Sequence, residues 1–203
     1  MPKMIDICSG LGGASQAFVE AGWDVMRVDN HDLILESVPG TWNFDMTDSI
    51  DVDSLIHMPF WDYADLIWAS PPCVEYSDAY GAPKNVARRA GEDYEPDHTI
   101  LLNCLEVIKA KEPKNWVIEN VKGSRPWFQK IIGQPPWQIH NQFYLWGRFP
   151  QFHVDLRGHS KFENDTWSGD PLRAHKRAVV PWALSEALRI AIEQQESLDR
   201  WIQ

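Results

Sequence analysis

The stretch "MIDICSGLGGASQAFVEAG", Met4 to Gly22, decides how this chain is read. A short apolar run, Met4 to Cys8, is stopped by "SGLGG", whose glycines allow a sharp turn. Ala14, Phe18 and Ala21 then fall on one face of a helix that Gly22 closes. A second apolar run, "WDVMRV", follows at once and ends at Asp29. Strand, glycine turn, helix and strand in that order begin a doubly wound α/β fold, a mostly parallel sheet with helices on both faces. Ligands of such sheets sit outside the carboxyl ends of the strands. Polar residues at those ends are the site candidates.

Beyond Asp29 a mixed stretch runs to about Phe60 and holds "FDMTD", Phe44 to Asp48. "ADLIWAS", Ala64 to Ser70, reads as a strand that ends in Pro71, Pro72 and Cys73. Proline cannot continue a central strand, so the pair forces an extended turn. Ser77 to Pro96 is polar, carries two glycines and a basic cluster, and reads as a long loop. Asp97 is placed to cap a helix bearing Ile100, Leu101, Leu105 and Ile108, which stops before Pro113. "NWVIEN" and "QFYLWG" read as further strands, and a last helix starts near Pro181. Nothing divides residues 1–203, which read as one domain.

The totals narrow the classes. A chain of 203 residues, 44% hydrophobic, is long enough for one full core. It has no apolar run of about 18 residues to span a bilayer, and "MPKMIDICSG" lacks the sections of a signal peptide, so a cytoplasmic protein is expected. Cys8, Cys73 and Cys104 lie far apart with no CxxC spacing, which argues against a zinc site and a disulfide framework; no metal is expected. A net charge of -10 and a pI near 5.1 work against a general nucleic-acid binder. A polyanion must meet a local basic face: Lys84, Arg88 and Arg89; Lys122, Arg125 and Lys130; or Arg148, Arg157, Lys161, Arg173, Lys176 and Arg177. Each of these charges also reads as ordinary solvated surface. The eleven tryptophans are core or rim packing, or, beside a basic face, platforms for a base.

Asp6, Ser9, Gly10, Gly12 and Gly13, with Asp29 at the second strand's end, supply a turn that backbone and ligand can approach closely and an acid for two ribose hydroxyls. The spacing differs from GxGxxG and no Walker lysine follows, which favours a nucleoside over a diphosphate. Asp45 is placed to accept from an adenine amino group. Cys8 and Cys104, within apolar segments, read as buried hydrophobes. Cys73 is either that or a reactive thiolate held by its prolines. Glu119, with Asn120, is either a strand-end carboxylate in water or a group facing Cys73 across the cleft.

These pieces, in this order, resemble the cytosine-C5 DNA methyltransferase family. "DICSGLGGASQAFVEAGW" is similar to its cofactor loop, "ASPPCVEYS" to its Pro-Cys nucleophile loop, "VIENVKG" to its Glu-Asn-Val strand, and "RAVVPWALSEALRIA" to the helix that closes its cofactor pocket. The length and "FYLWG" are similar to short phage-encoded members without a full target-recognition domain. The resemblance implies a Rossmann-like, S-adenosylmethionine-dependent methyltransferase fold. It implies methyl transfer to C5 of cytosine in DNA through a covalent bond from Cys73 to C6, with Glu119 holding N3 and the N4 amine. Asp6, Ser9, Gly10, Gly12, Gly13, Asp29, Asn30, Asp45, Met46 and Pro71 would bind the cofactor. Ser77, Lys84, Arg88, Arg89, Asn120, Arg125, His140 and Arg148 would meet the nucleic acid. The target base must be flipped out of the stack, with Ser77 to Pro96 as a lid. For a phage-encoded chain the location is the bacterial host's cytoplasm.

Two features depart from the family. Its Gln-x-Arg-x-Arg pattern, which brings an arginine to the cytosine O2, is here Gln138, His140 and Gln142; His140, Arg148 or Arg125 is left to take that place. In place of a recognition domain only about residues 151–176 remain, too short for an independent core, so little sequence discrimination or a very short target is expected. The alternatives are the same chemistry on RNA or another cytosine substrate, and an inert binding module that keeps the cofactor fold. The lost arginines favour the second; Cys73 and Glu119 count against it.

Overall fold

Burial along the central strands shows why the sheet assembles as it does. The computed structural model describes residues 1–159 and 167–202. β1 (Lys3–Ile7) is buried from Met4 onward and β4 (Leu66–Ala69) throughout, the signature of parallel strands covered on both faces. Around them lie β2 (Asp24–Asp29), β3 (Trp42–Asn43), β5 (Asn115–Asn120), β6 (Gln138–His140) and β7 (Phe143–Arg148). The order is β3-β2-β1-β4-β5-β7-β6. The first five strands are parallel, and β7 runs antiparallel to both its neighbours. The expected mostly parallel, doubly wound sheet is present.

Successive side chains feed two cores. Ile5, Ile7, Ile67 and Ile118 pack under α3 (Ser49–Ile56) and α5 (Thr99–Lys111) with Leu55, Leu101 and Val107. Met4, Leu66, Trp68 and Val117 face α1 (Gln16–Glu20) and α8 (Trp182–Ile202) through Phe18, Leu184 and Leu188. Leu184, Leu188 and Ile192 recur every four residues and form one buried stripe. The Ser185 hydroxyl donates to the Ala14 carbonyl at 2.7 Å, and the indoles of Trp182 and Trp23 donate to Glu20 and Glu193 at 2.8 and 2.9 Å.

Several elements differ from expectation. Ser77 to Pro96 is no plain loop: it contains α4 (Pro83–Ala90), with Pro83 in the first turn and Gly91 at φ +73° ending it. Its apolar face is so thin, with only Asn85 and Ala87 buried, that no period showed. The mixed stretch holds α2 (Asp32–Ser37) and α3. Asp97 accepts from the Thr99 amide at 2.8 Å, and α5 starts two residues later than its cap was placed. α6 (Arg125–Ile132), β6 and α7 (Arg173–Ala178) were not anticipated; α7 buries no residue of its own. Of residues 151–176, 160–166, with Lys161, lie outside the described residues.

Gly13 marks where the chain's two ends meet. A Cβ there would stand 2.5 Å from the Val180 carbonyl oxygen and 2.7 Å from the Val179 side chain. Backbone cannot retreat as a flexible side chain does. Gly13→Ala is therefore expected to cost about 1–3 kcal/mol by overpacking, read as a lower urea midpoint. An unchanged midpoint would show that residues 179–180 do not press on the glycine turn.

Candidate active site

The carboxyl ends of the parallel strands line one cavity of about 470 Å³. β1 delivers the glycine turn. Cys8 stands at φ +56°, Gly10 at +50° and Gly12 at +75°, which turn the backbone sharply. From β2, Asp29 accepts the Gly10 amide on Oδ2 at 2.9 Å and the His31 amide on Oδ1 at 3.0 Å. Each carboxylate oxygen keeps a second acceptor site. After β3, Asp45 accepts both the amide and the hydroxyl of Thr47, at 2.8 and 2.7 Å, which holds its carboxyl below the ordinary range. Phe44, Met46 and Leu11 add apolar wall. The Ser9 hydroxyl is buried without a hydrogen-bond partner at the cavity's edge. Glycine turn, acid, apolar wall and unsatisfied hydroxyl together fit a nucleoside.

β4 and β5 bring Cys73 and Glu119 to the same cavity. Ser70, the residue after β4, donates its hydroxyl to Glu119 at 3.2 Å and accepts the Trp68 indole N–H at 2.8 Å, so the carboxylate is oriented by a chain anchored in the core. Asn120, 1% exposed, donates to the Pro71 carbonyl at 2.8 Å, while its own side-chain oxygen accepts the Val121 amide at 2.9 Å. The Cys73 carbonyl closes a turn onto the Tyr76 amide at 3.1 Å. Tyr76 is buried against Phe128 and donates to the Asp97 carbonyl at 3.1 Å; burial pushes its phenol up. A Cβ on Gly123 would lie 2.0 Å from the Tyr76 carbonyl, so the exit of β5 and the cysteine loop touch backbone to backbone. Cys8 also lines the cavity, contrary to its reading as plain core, but the neighbouring Cys104 thiol and burial push it well above the ordinary thiol range. Of the two cavity thiols, Cys8 is held protonated.

Among the cofactor residues expected from the sequence, Ser9, Gly10, Gly13, Asp29, Asn30, Asp45, Met46 and Pro71 line the cavity. Asp6 and Gly12 do not. Asp6 is fully buried beneath the turn, and Gly12 faces Arg27, whose guanidinium would meet a Cβ at 2.8 Å. Arg27 packs there while donating to Ser15 and Gln16 at 2.9 and 3.2 Å. The nucleic-acid candidates scatter. Asn120 is a buried clamp rather than a surface contact, its amide already engaged on both sides. Lys84 is braced against the Tyr76 carbonyl and Asp78 at 2.9 and 2.7 Å. Arg89 donates to the Tyr80 carbonyl at 2.8 Å and lies over that ring, and Ser77 accepts the Ala79 amide at 3.1 Å. Arg88 and Arg125 are exposed on α4 and α6, and neither lines the cavity. Arg148 is at the opposite edge, donating to the Lys114 and Pro113 carbonyls at 3.2 and 2.5 Å, because β7 runs antiparallel and carries its end away from the cavity. His140 stacks on Phe152 at 4.6 Å and bonds Gln138 at 3.1 Å, outside the cavity lining. Sequence reasoning missed Ser70, Gly123 and the wall that α7 supplies through Ala174, His175 and Arg177. Ser70 and Gly123 sit inside "WASPPC" and "ENVKG", whose spacing carried the signal.

A mostly parallel seven-strand sheet with an antiparallel last hairpin, and one cavity at its carboxyl edge lined by the glycine turn, Asp29, Cys73 and Glu119, is the arrangement of a methyltransferase-type α/β fold. The chain belongs to the C-5 cytosine-specific DNA methylase family, whose pattern matches residues 2–126. It is 27% identical over 123 residues to the Type II methyltransferase M.NgoPII of Neisseria gonorrhoeae, an alignment covering 60% of this chain and 33% of that protein. Over 136 residues it is 29% identical to the Type II methyltransferase M.AquIA of Picosynechococcus sp., covering 62% and 50%. The chain thus spans a third to a half of these relatives' lengths. A solved structure of the Entamoeba histolytica methyltransferase EhMeth is similar with a TM-score of 0.46 and 16% identity, over 66% of this chain and 42% of that one. Among the described residues no helix is long and apolar enough to cross a membrane, and no cluster of three or more His, Cys, Asp or Glu is placed to hold a metal.

Asp6 carries a measurable consequence. Burial raises its carboxyl from 3.8 to about 7; the nearby Ser15 hydroxyl and Arg27 pull it down, and Asp29 pushes it up. The folded chain therefore keeps a proton that the unfolded chain releases near pH 4. Stability falls as pH rises from about 4 to about 7, by on the order of 3–4 kcal/mol. Asp6→Asn is expected to lack this component, so its urea midpoint relative to the parent rises across that window. Parallel pH profiles for the two proteins would exclude it.

Proposed function

We propose that this chain transfers a methyl group from S-adenosylmethionine to C5 of cytosine in DNA, through a covalent bond between Cys73 and C6. The observation that carries the reading is that Cys73 and Glu119 line the same cavity as Gly10, Asp29 and Asp45. The hollow at β1 and β2 suits the nucleoside half of the cofactor: Asp29 for the ribose hydroxyls, Asp45 and Asn30 for the base edge, Ser9 and Gly10 for close approach. When bound, S-adenosylmethionine supplies an electrophilic methyl on a sulfonium centre.

The protein's own groups do the rest. The Cys73 sulfur adds to C6 of the pyrimidine, which gives C5 enamine character. Glu119, oriented by Ser70, bonds N3 and the N4 amine and stabilises the negative charge that develops in the ring. Once C5 carries the methyl, loss of the C5 proton returns the bonding pair to the ring and expels the thiolate. Pro71, fixed by Asn120, keeps the sulfur at the ring face without large reorganisation. Reaching C6 requires the base out of the stack, at a cost of a few kcal/mol. Arg88, exposed on α4, is the residue of that segment left to meet a phosphate. Residues 1–203 act as one catalytic unit in which 151–176 stand in for a recognition domain, so discrimination between target sequences is slight.

A duplex carrying 5-fluorocytosine, incubated with the protein and S-adenosylmethionine, is expected to give a covalent adduct stable to denaturation, because fluorine at C5 does not leave as a proton does. Cys73→Ser should form none. An adduct on an RNA strand alone would move the reaction to RNA, and a Cys73→Ser variant as active as its parent would remove the nucleophile.

A further inference from the structure

α7 walls one side of the cavity although it has no core of its own. Ala174, His175 and Arg177 line the hollow, yet none of the six residues Arg173–Ala178 is buried. A helix so short and without an apolar stripe does not hold itself in place, so its position is set by particular contacts. One of them lies within the cavity lining. His175 meets His31 edge to face, with ring centroids 4.6 Å apart and planes at 70°. His31 is the anchored partner: its amide donates to Asp29 Oδ1 at 3.0 Å, and its carbonyl accepts the Ile34 and Leu35 amides at 2.8 and 3.1 Å as α2 begins. The same Asp29 carboxylate faces the hollow, so the ring contact and the proposed ribose site share one anchor.

The strength of such a contact depends on pH. Two neutral imidazoles attract edge to face, and a single proton is tolerated beside Asp29, whereas two protons place two cations in contact. Burial and the neighbouring His31 hold His175 below the ordinary histidine range, with Asp29 pulling the other way. The remaining charged groups on these elements are Asp32 in the first turn of α2 and Arg173, Lys176 and Arg177 on α7, Lys176 being paired with Asp170 at 2.8 Å. Every charged side chain on α7 is basic, so a protonated His175 gains no partner from its own helix.

We propose that the contact between His31 and His175 is a latch that seats α7 as a wall of the nucleoside hollow and is released as the two rings take up protons, so that the cofactor is held tightest when both are neutral. The proposal rests on the methyl-transfer reading for the identity of the ligand. Both histidines are positioning residues, acting on the cofactor through the placement of α7. A ligand that binds the latched form displaces the proton that parts the rings, so on the acid side its dissociation constant rises as pH falls, by up to about tenfold for each pH unit.

The test measures binding rather than turnover. The dissociation constant of S-adenosylhomocysteine, the demethylated cofactor, is determined by calorimetry between about pH 7.5 and about pH 5.5, where imidazole titrates and this ligand does not. For the parent it is expected to rise by at least about tenfold across that range. His175→Phe keeps a ring against His31 but takes no proton, and should lose most of that rise. His31→Phe makes the same change from the other side and carries the measurement if His175→Phe does not fold. His175→Ala, which removes the contact, should give a flat profile with binding weakened at neutral pH by about 3- to 10-fold. Asp6 titrates in an overlapping range, but its contribution is common to the parent and all three variants. A parent whose affinity ignores pH, or phenylalanine variants that weaken in acid as much as the parent, would overturn the latch and leave the methyl-transfer reading standing. A parent that binds S-adenosylhomocysteine at no pH would overturn both.

Discussion

The site depends on a single weld between two strand exits. Asn120 reaches from the end of β5 to the Pro71 carbonyl at the end of β4, wholly out of water, and Gly123 lets the chain beyond β5 press against the Tyr76 carbonyl. A buried amide bonded on both sides is costly to disturb, since breaking either contact strands a polar group. The two proline residues cannot fill this role alone. They stiffen the turn, but only a tie to the neighbouring strand fixes where the stiff turn points.

Around that weld, rigidity and chemistry are divided. The two cores hold the strands from both faces, and the glycine turn is held from outside by Arg27 and by residues 179–180. Buried Asp6 and half-buried Cys8 belong to this supporting layer, though both sit in the motif that carries the resemblance. The Ser9 hydroxyl and the Gln142 amide nitrogen, closed off from water without a hydrogen-bond partner, belong to residues that line the hollow.

Much of this was legible from residues in order. Strand ends are marked by a change from apolar to polar, so Asp29, Cys73 and Glu119 fell on the correct sheet edge, and a parallel sheet brings such ends together whatever lies between them. Helices with a wide apolar face, α5 and α8, were equally plain. α4 escaped because its charged residues leave almost no apolar stripe, and β6 because three residues carry no period. The direction of side chains along β7 was also hidden: an antiparallel partner reverses which end meets the cavity, and this removed Arg148 from the cleft while leaving Gln142 beside it. The bonds that Lys84 and Asn120 make within the protein were hidden for a shared reason. A polar residue type tells nothing of whether the protein itself already uses its bonds.

The hollow has walls drawn from both extremes of the chain, residues 8–14 on one side and 174–180 on the other, joined through Ser185 on Ala14 and Trp182 on Glu20. During synthesis the first wall must therefore wait until residues 174–180 have been made before it has a counterpart. A ligand seated between them bridges segments about as distant in sequence as this fold permits, so occupancy is linked to global rather than local unfolding.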